Sequence, residues 1–187
     1  MKPEVIIIGG SAGAFNSILS ILNNLDKRIN TPIIIVLHRL KNTDSSFENI
    51  LQRNTHYTVK EVEDKDEMKK GFLYTAPADY HLLLEEDLSF SLDASELVNY
   101  SRPSIDVTFE SFSAVLQEKC CGILLSGSNH DGASGLKTMA QNNGLTIIQD
   151  CSEAEFPTMP NAAKNIYNRH KELDTKNIIN TLNNEYS

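Results

Sequence analysis

From residue 4 the chain runs Glu-Val-Ile-Ile-Ile, and between 14 and 25 apolar residues recur at Phe15, Ile18, Leu19, Ile21, Leu22 and Leu25. The first pattern predicts a buried strand at 4–8 and the second a helix with one apolar face. A second unbroken apolar run at 33–37 follows Pro32, and a strand's first position tolerates a residue with no ladder donor. Two fully apolar strands joined through a helix predict a parallel sheet covered on both faces. A short helix at 47–51 follows, then four shorter strands at 57–63, 72–75, 81–85 and 88–92. These include hairpins and form an excursion from the simple repeat. The alternation resumes with a helix at 104–118, a strand at 122–126, a helix at 132–142, a strand at 145–149, and helices near 160–168 and 175–183. The mixed charges of 61–70 read as a solvated loop or strand edge.

No repeat, low-complexity linker or break in composition divides the 187 residues, so 1–187 is expected to form a single domain. With 40% hydrophobic residues it can bury its own core. The net charge of −8 argues against a nucleic-acid partner, because affinity for a phosphate backbone rests on clustered Lys and Arg. The apolar run at 5–8 is far too short for a signal segment or a membrane span, which points to the cytoplasm without membrane insertion. Three cysteines without metal-ligand spacing read as reduced, mostly buried thiols.

The loop Gly9-Gly10-Ser11-Ala12-Gly13-Ala14 between the first strand and helix admits two chemistries. A dinucleotide site would want G-x-G-x-x-G there and an acid after the second strand. Ser11 stands at the second glycine and His38-Arg39 at the acid, so only an NADP reading through Arg39 stays open. The alternative is G-x-S-x-G, a turn that lifts a serine hydroxyl clear of a sheet at a helix N-terminus; a plain helix cap is the ordinary role of such a serine. A nucleophilic serine needs a base and a residue to orient that base. Among five histidines, His38 directly follows the second apolar strand, beside the Ser11 strand. Asp131 follows Gly-Ile-Leu-Leu-Ser-Gly-Ser-Asn-His, again just past a buried strand. Three such residues at one end of one sheet form a constellation that an Asp-Gly turn and a strand-end histidine leave unexplained. Asp79, Asp106 and Asp150 remain alternative acids by spacing.

Beyond these residues stand YTAPADYHL at 74–82, SRPSIDVTFESF at 101–112, GILLSGSNHDGASGLKTM at 122–139, IIQD at 147–150 and FPTMPNAA at 156–163. Together with the serine loop and VLHRL at 36–40, the chain resembles the catalytic domain of the bacterial chemotaxis protein-glutamate methylesterases, the CheB family. The resemblance implies an α/β, doubly wound, mostly parallel sheet with helices on both faces and a small antiparallel insertion. It implies a triad of Ser11, His38 and Asp131, and hydrolysis of glutamate γ-methyl esters on chemoreceptor-like proteins, with glutamine deamidation as a second activity. No cofactor or metal is expected. The N–H groups of Ala12 and of the 126–132 loop, at Ser128, are candidates for an oxyanion hole, and Arg102 and Ser104 either bind substrate or support the loops. The family's serine loop commonly reads S-T-G-G where this chain has Ser11-Ala12-Gly13-Ala14, and its T-G-M-G-N-D-G is here Ser126 to Gly132 as S-G-S-N-H-D-G. That second departure motivates an alternative, a catalytically weak signalling adaptor with the same fold. The first strand begins within a few residues of Met1, so no attached receiver domain is expected and a separate regulator stays open.

Overall fold

The computed structural model describes residues 2–38 and 46–186. In chain order the elements are β1 (Val5–Gly10), α1 (Ala14–Asn24), β2 (Ile33–Leu37), α2 (Ser46–Arg53), β3 (Thr58–Glu61), β4 (Phe72–Thr75), β5 (His81–Leu84), β6 (Phe90–Asp93), α3 (Ile105–Leu116), β7 (Cys120–Leu124), α4 (Ala133–Gln141), β8 (Leu145–Gln149), α5 (Thr158–Ile166), β9 (Lys171–Leu173) and α6 (Thr175–Tyr186). Seven strands make one sheet in the order β3-β4-β2-β1-β7-β8-β9, with every neighbouring pair parallel. β5 and β6 pair antiparallel outside it.

Alternation along β1 explains why it carries no polar residue. Val5 and Ile7 pack with Ile105, Phe109, Leu136 and Met159 of α3, α4 and α5. Ile6 and Ile8 point the other way, to Ile18, Ile21, Ile178 and Leu182 of α1 and α6. A parallel strand between two helical layers has no wet face, so its sequence is apolar throughout. From β1 the chain extends the sheet one way through β2 and then the other way through β7. The carboxyl end of β1 therefore opens on the crevice where such sheets bind ligands.

Three expectations need correction. β3 and β4 are parallel members of the main sheet, not part of an excursion, and only β5 and β6 form a hairpin. The 122–126 strand lies two residues earlier, at Cys120–Leu124. Gly122, read as its start, sits mid-strand, at a point where a Cβ would lie 2.7 Å from both Leu136 and Met139. β9 was missed: three residues, Lys-Glu-Leu, on a half-exposed sheet edge carry no apolar run. Cys120 and Cys121 point to opposite faces of the sheet, and burial pushes each thiol up to about 12, which leaves both unreactive.

α3 and α4 meet at Gly135, where a Cβ would lie 2.5 Å from the Asp106 carbonyl oxygen. Gly135→Ala should therefore destabilise the protein by about 2 kcal/mol, since backbone on the facing helix cannot rotate away. Differential scanning calorimetry should show a melting temperature lowered by about 4–8 °C.

His170, just before β9, is buried with Nδ1 on the Thr146 hydroxyl at 2.8 Å and Nε2 bonded to none of the described residues. Burial lowers it to about 4. The unfolded chain takes up a proton near pH 6.5 that the folded chain refuses, so the neutral ring's contribution is complete above about 6.5 and lost as pH falls toward 4. Melting temperatures should decline across that window, with His170→Gln flattening the decline.

Candidate active site

The serine loop is tied down on both sides. Ser11 N–H donates to the Ser126 carbonyl at 2.9 Å, and His38 N–H donates to the Gly10 carbonyl at 3.2 Å. The ends of β2 and β7 thus flank the end of β1. Gly13, at φ 77°, turns the chain into α1 in a conformation that favours glycine. A Cβ there would also lie 2.7 Å from Ser126 Oγ and from Glu155 Cβ. The Ser126 hydroxyl in turn donates to the Ala12 carbonyl at 2.9 Å and accepts from Phe156 N–H at 2.9 Å. Gln149 Oε1 accepts from Ser126 N–H at 2.9 Å.

His38 Nε2 lies 2.8 Å from Asp131 Oδ2, with the imidazole 13% exposed and the carboxylate side chain 0% exposed. Asp131 is buried against the N-terminus of α3. It accepts from Ile105 N–H at 2.6 Å, Asp106 N–H at 3.3 Å, Ser104 Oγ at 2.7 Å and Asn99 Nδ2 at 3.1 Å. Burial alone would raise its pKa, but the bonds from His38, the Ile105 N–H, Ser104 and Asn99 outweigh it and hold the carboxyl below its ordinary value. The positive end of the α3 dipole adds to that preference for the charged form. An ionised Asp131 makes Nε2 the protonated ring nitrogen and Nδ1 the acceptor that can take a proton once its weak donors give way. Nδ1 faces Ser101 Oγ at 3.4 Å and Asn129 Nδ2 at 3.5 Å.

Ser11 Oγ makes no hydrogen bond to any described residue, so the structure brings His38 and Asp131 into contact and sets Ser11 at the neighbouring strand end without joining it to them. The N–H groups of Ala12 and Ser128 also donate to no described residue, as do those of Gly13, Asn129 and His130, whereas Gly127 N–H donates to the Phe156 carbonyl at 3.0 Å and Asp131 N–H to Asn129 Oδ1 at 3.1 Å. Two unspent donors on adjacent loops can stabilise a negatively charged oxygen.

Arg102 turns away from the crevice; its Nη1 donates to the Ala94 carbonyl at 2.7 Å and also to the Ser95 carbonyl, fixing that loop. Ser104 caps α3 by accepting from Val107 N–H at 3.4 Å, and its hydroxyl donates to Asp131. Asp150 is occupied by Ser152, Asp79 sits in a turn at φ 65°, and Asp106 bonds to Asn99 and Gly135; none of the three bonds to His38. Arg39 and the end of the 36–40 run lie outside the described residues. Asn99, Ser101 and Asn129 were missed by sequence reasoning, because polar residues in glycine- and asparagine-rich turns carry no signal that separates a site partner from an ordinary turn residue.

The family model described as CheB methylesterase matches residues 6–182. A Leptospira interrogans protein provisionally named protein-glutamate methylesterase/protein-glutamine glutaminase is 45% identical over 163 residues, 87% of this chain and 84% of that protein. A Thermotoga maritima protein of the same name is 33% identical over 79% of this chain, which spans 44% of that longer protein. The crystal structure of the Thermotoga maritima CheB methylesterase catalytic domain superposes with a TM-score of 0.92 at 29% identity, covering 98% of this chain and 99% of that one.

Proposed function

The chain belongs to the CheB methylesterase family, and from that premise we propose that it hydrolyses glutamate γ-methyl esters on a chemoreceptor-like protein through Ser11, His38 and Asp131. The observation that carries the reading is the 2.8 Å bond between His38 Nε2 and a fully buried, ionised Asp131, set at the crevice beside the Ser11 loop. His38 Nδ1 takes the Ser11 hydroxyl proton as Oγ attacks the ester carbonyl carbon. The tetrahedral oxygen accepts from the N–H groups of Ala12 and Ser128, each worth roughly 3 kcal/mol in the transition state. The intermediate collapses as His38 passes its proton to the departing methoxide, which leaves as methanol. Water, deprotonated by the same nitrogen, then attacks the acyl-serine; as the acyl–Oγ bond breaks, His38 returns that proton to Ser11 Oγ and the glutamate carboxylate is freed. Throughout, Asp131 fixes the ring and stabilises the imidazolium. A glutamine side chain presents the same carbonyl with ammonia as leaving group, so the same groups serve deamidation.

Among the described residues no helix is long and apolar enough to cross a membrane. We assign the protein to the cytoplasm, where three unpaired cysteines stay reduced. The direct test is methanol release from receptor fragments carrying labelled methyl esters. Release supports the reading; a folded protein that binds the fragments and releases nothing favours an adaptor.

A further inference from the structure

Asn99 opens a tight turn closed by Val98 N–H to the Ser101 carbonyl at 3.2 Å and Ser101 N–H to the Val98 carbonyl at 2.9 Å. Asn99 and Tyr100 take φ 50° and 60°, the left-handed pair in which asparagine is among the best-tolerated residues. Tyr100 points to solvent, 97% exposed, whereas Asn99, though itself exposed, reaches with its amide to two buried carboxylates. Its two amide hydrogens are both spent on carboxylates: Nδ2 lies 2.7 Å from Asp106 Oδ2 and 3.1 Å from Asp131 Oδ1. The other oxygen of Asp106 accepts from Gly135 N–H, in the first turn of α4, at 2.7 Å. Asp106 is only 7% exposed.

Burying a second carboxylate beside Asp131 is unfavourable, and an apolar residue would serve α3 packing without that penalty. What only a carboxylate does at this position is accept from two donors at once, one on each oxygen. Asparagine could accept from Asn99 or from Gly135, but its own amide would then face the other donor. We propose that Asn99 and Asp106 are positioning residues for the reaction at Ser11: Asn99 clamps Asp131 against His38, and Asp106 locks both Asn99 and the start of α4, so that the clamp cannot rotate. The inference rests on the esterase reading and names further residues that the reaction needs.

The clamp should respond to pH. Desolvation raises Asp106 to about 6, with the Gly135 N–H and Asn99 opposing and the charges of Asp131 and Glu110 adding to the rise. His130 is the other titratable group facing it, across a cavity of about 460 Å³ that Asn99 and Asp106 also line. That cavity opens a route for proton exchange with solvent.

Two variants and one spectroscopic measurement test the proposal. Asn99→Gly keeps the turn and removes the clamp; kcat should fall about ten- to a hundredfold with KM little changed, as expected when a reacting group loses its alignment. Asn99→Asp puts a third carboxylate between two others. Its activity relative to wild type should rise more steeply than that of Asn99→Gly as pH falls from 8 to 6, because a protonated carboxyl can donate one of the two hydrogen bonds the amide made. Carboxyl-carbon NMR needs no turnover: the Asp106 midpoint, near 6 in wild type, should move up in Asn99→Gly. Wild-type turnover accompanied by full activity in both variants, by equal and pH-independent losses, or by an unmoved midpoint overturns the clamp alone. A wild type that releases no methanol while its Asp106 midpoint does respond overturns the esterase reading, and the catalytic role of the clamp with it.

Discussion

Ser11→Ala should reduce methanol release by about 10⁴- to 10⁶-fold in kcat, the loss typical of removing the nucleophile from a serine triad. The melting temperature should stay within about 2 °C, because the lost hydroxyl satisfies no described group in the fold and such changes fall within roughly 0.5 kcal/mol. Its backbone bond to Ser126 does not depend on the side chain. Circular dichroism and calorimetry beside the release assay separate the two effects. Unchanged turnover would remove Ser11 from the mechanism. Residual hydrolysis above the uncatalysed rate is expected from the two unspent N–H groups, which do not need the serine side chain.

Asp131→Asn should lower kcat by about 10⁴-fold and, unlike the serine change, should also weaken the fold. The amide can place only one oxygen where two carboxylate oxygens now receive five donors. If its oxygen keeps Ser104 and Asn99, its NH₂ faces the Ile105 N–H and His38 Nε2. His38 then yields by moving its proton to Nδ1, which gives the wrong tautomer for a base. The Ile105 N–H has no such escape, and an unsatisfied buried donor costs about 1–3 kcal/mol. A kcat loss of this size with a lower melting temperature would fit both roles; a loss in kcat with unchanged stability would show that α3 does not depend on this carboxylate. The low pKa of Asp131 works in the same direction. A carboxyl held below its unfolded value stabilises above about pH 4, and that contribution is lost as acid protonates it in the folded state.

How much of this was legible depended on burial. β1 and β2 appear in the sequence as unbroken apolar runs because both of their faces are covered, and the glycine-serine turn and His38 could be placed because each directly follows such a strand, Asp131 because it comes soon after the buried run of β7. The hairpin and β3 could be recognised as strands, but strand pairing is a long-range choice that short, half-exposed segments do not encode locally. β9 escaped because its edge position demands no apolar residue. Asn99 escaped for a different reason. Its role follows from the reach of one side chain at a positive φ, and Val-Asn-Tyr-Ser gives no sign of which way that side chain faces. Arg102 could be read either as binding substrate or as supporting the loops; its bonds to carbonyls of its own neighbouring loop fit the second.

The place of β1 also bears on synthesis. Its partners on either side are β2, from residue 33, and β7, from residue 120. A chain made from its N-terminus at about 5–20 residues per second therefore carries Val-Ile-Ile-Ile with one ladder edge unfilled for roughly ten seconds. An apolar edge left open is a template for pairing between chains. The central strand that delivers Ser11 to the crevice is thus, until Cys120–Leu124 emerges, the segment of the nascent protein most exposed to aggregation.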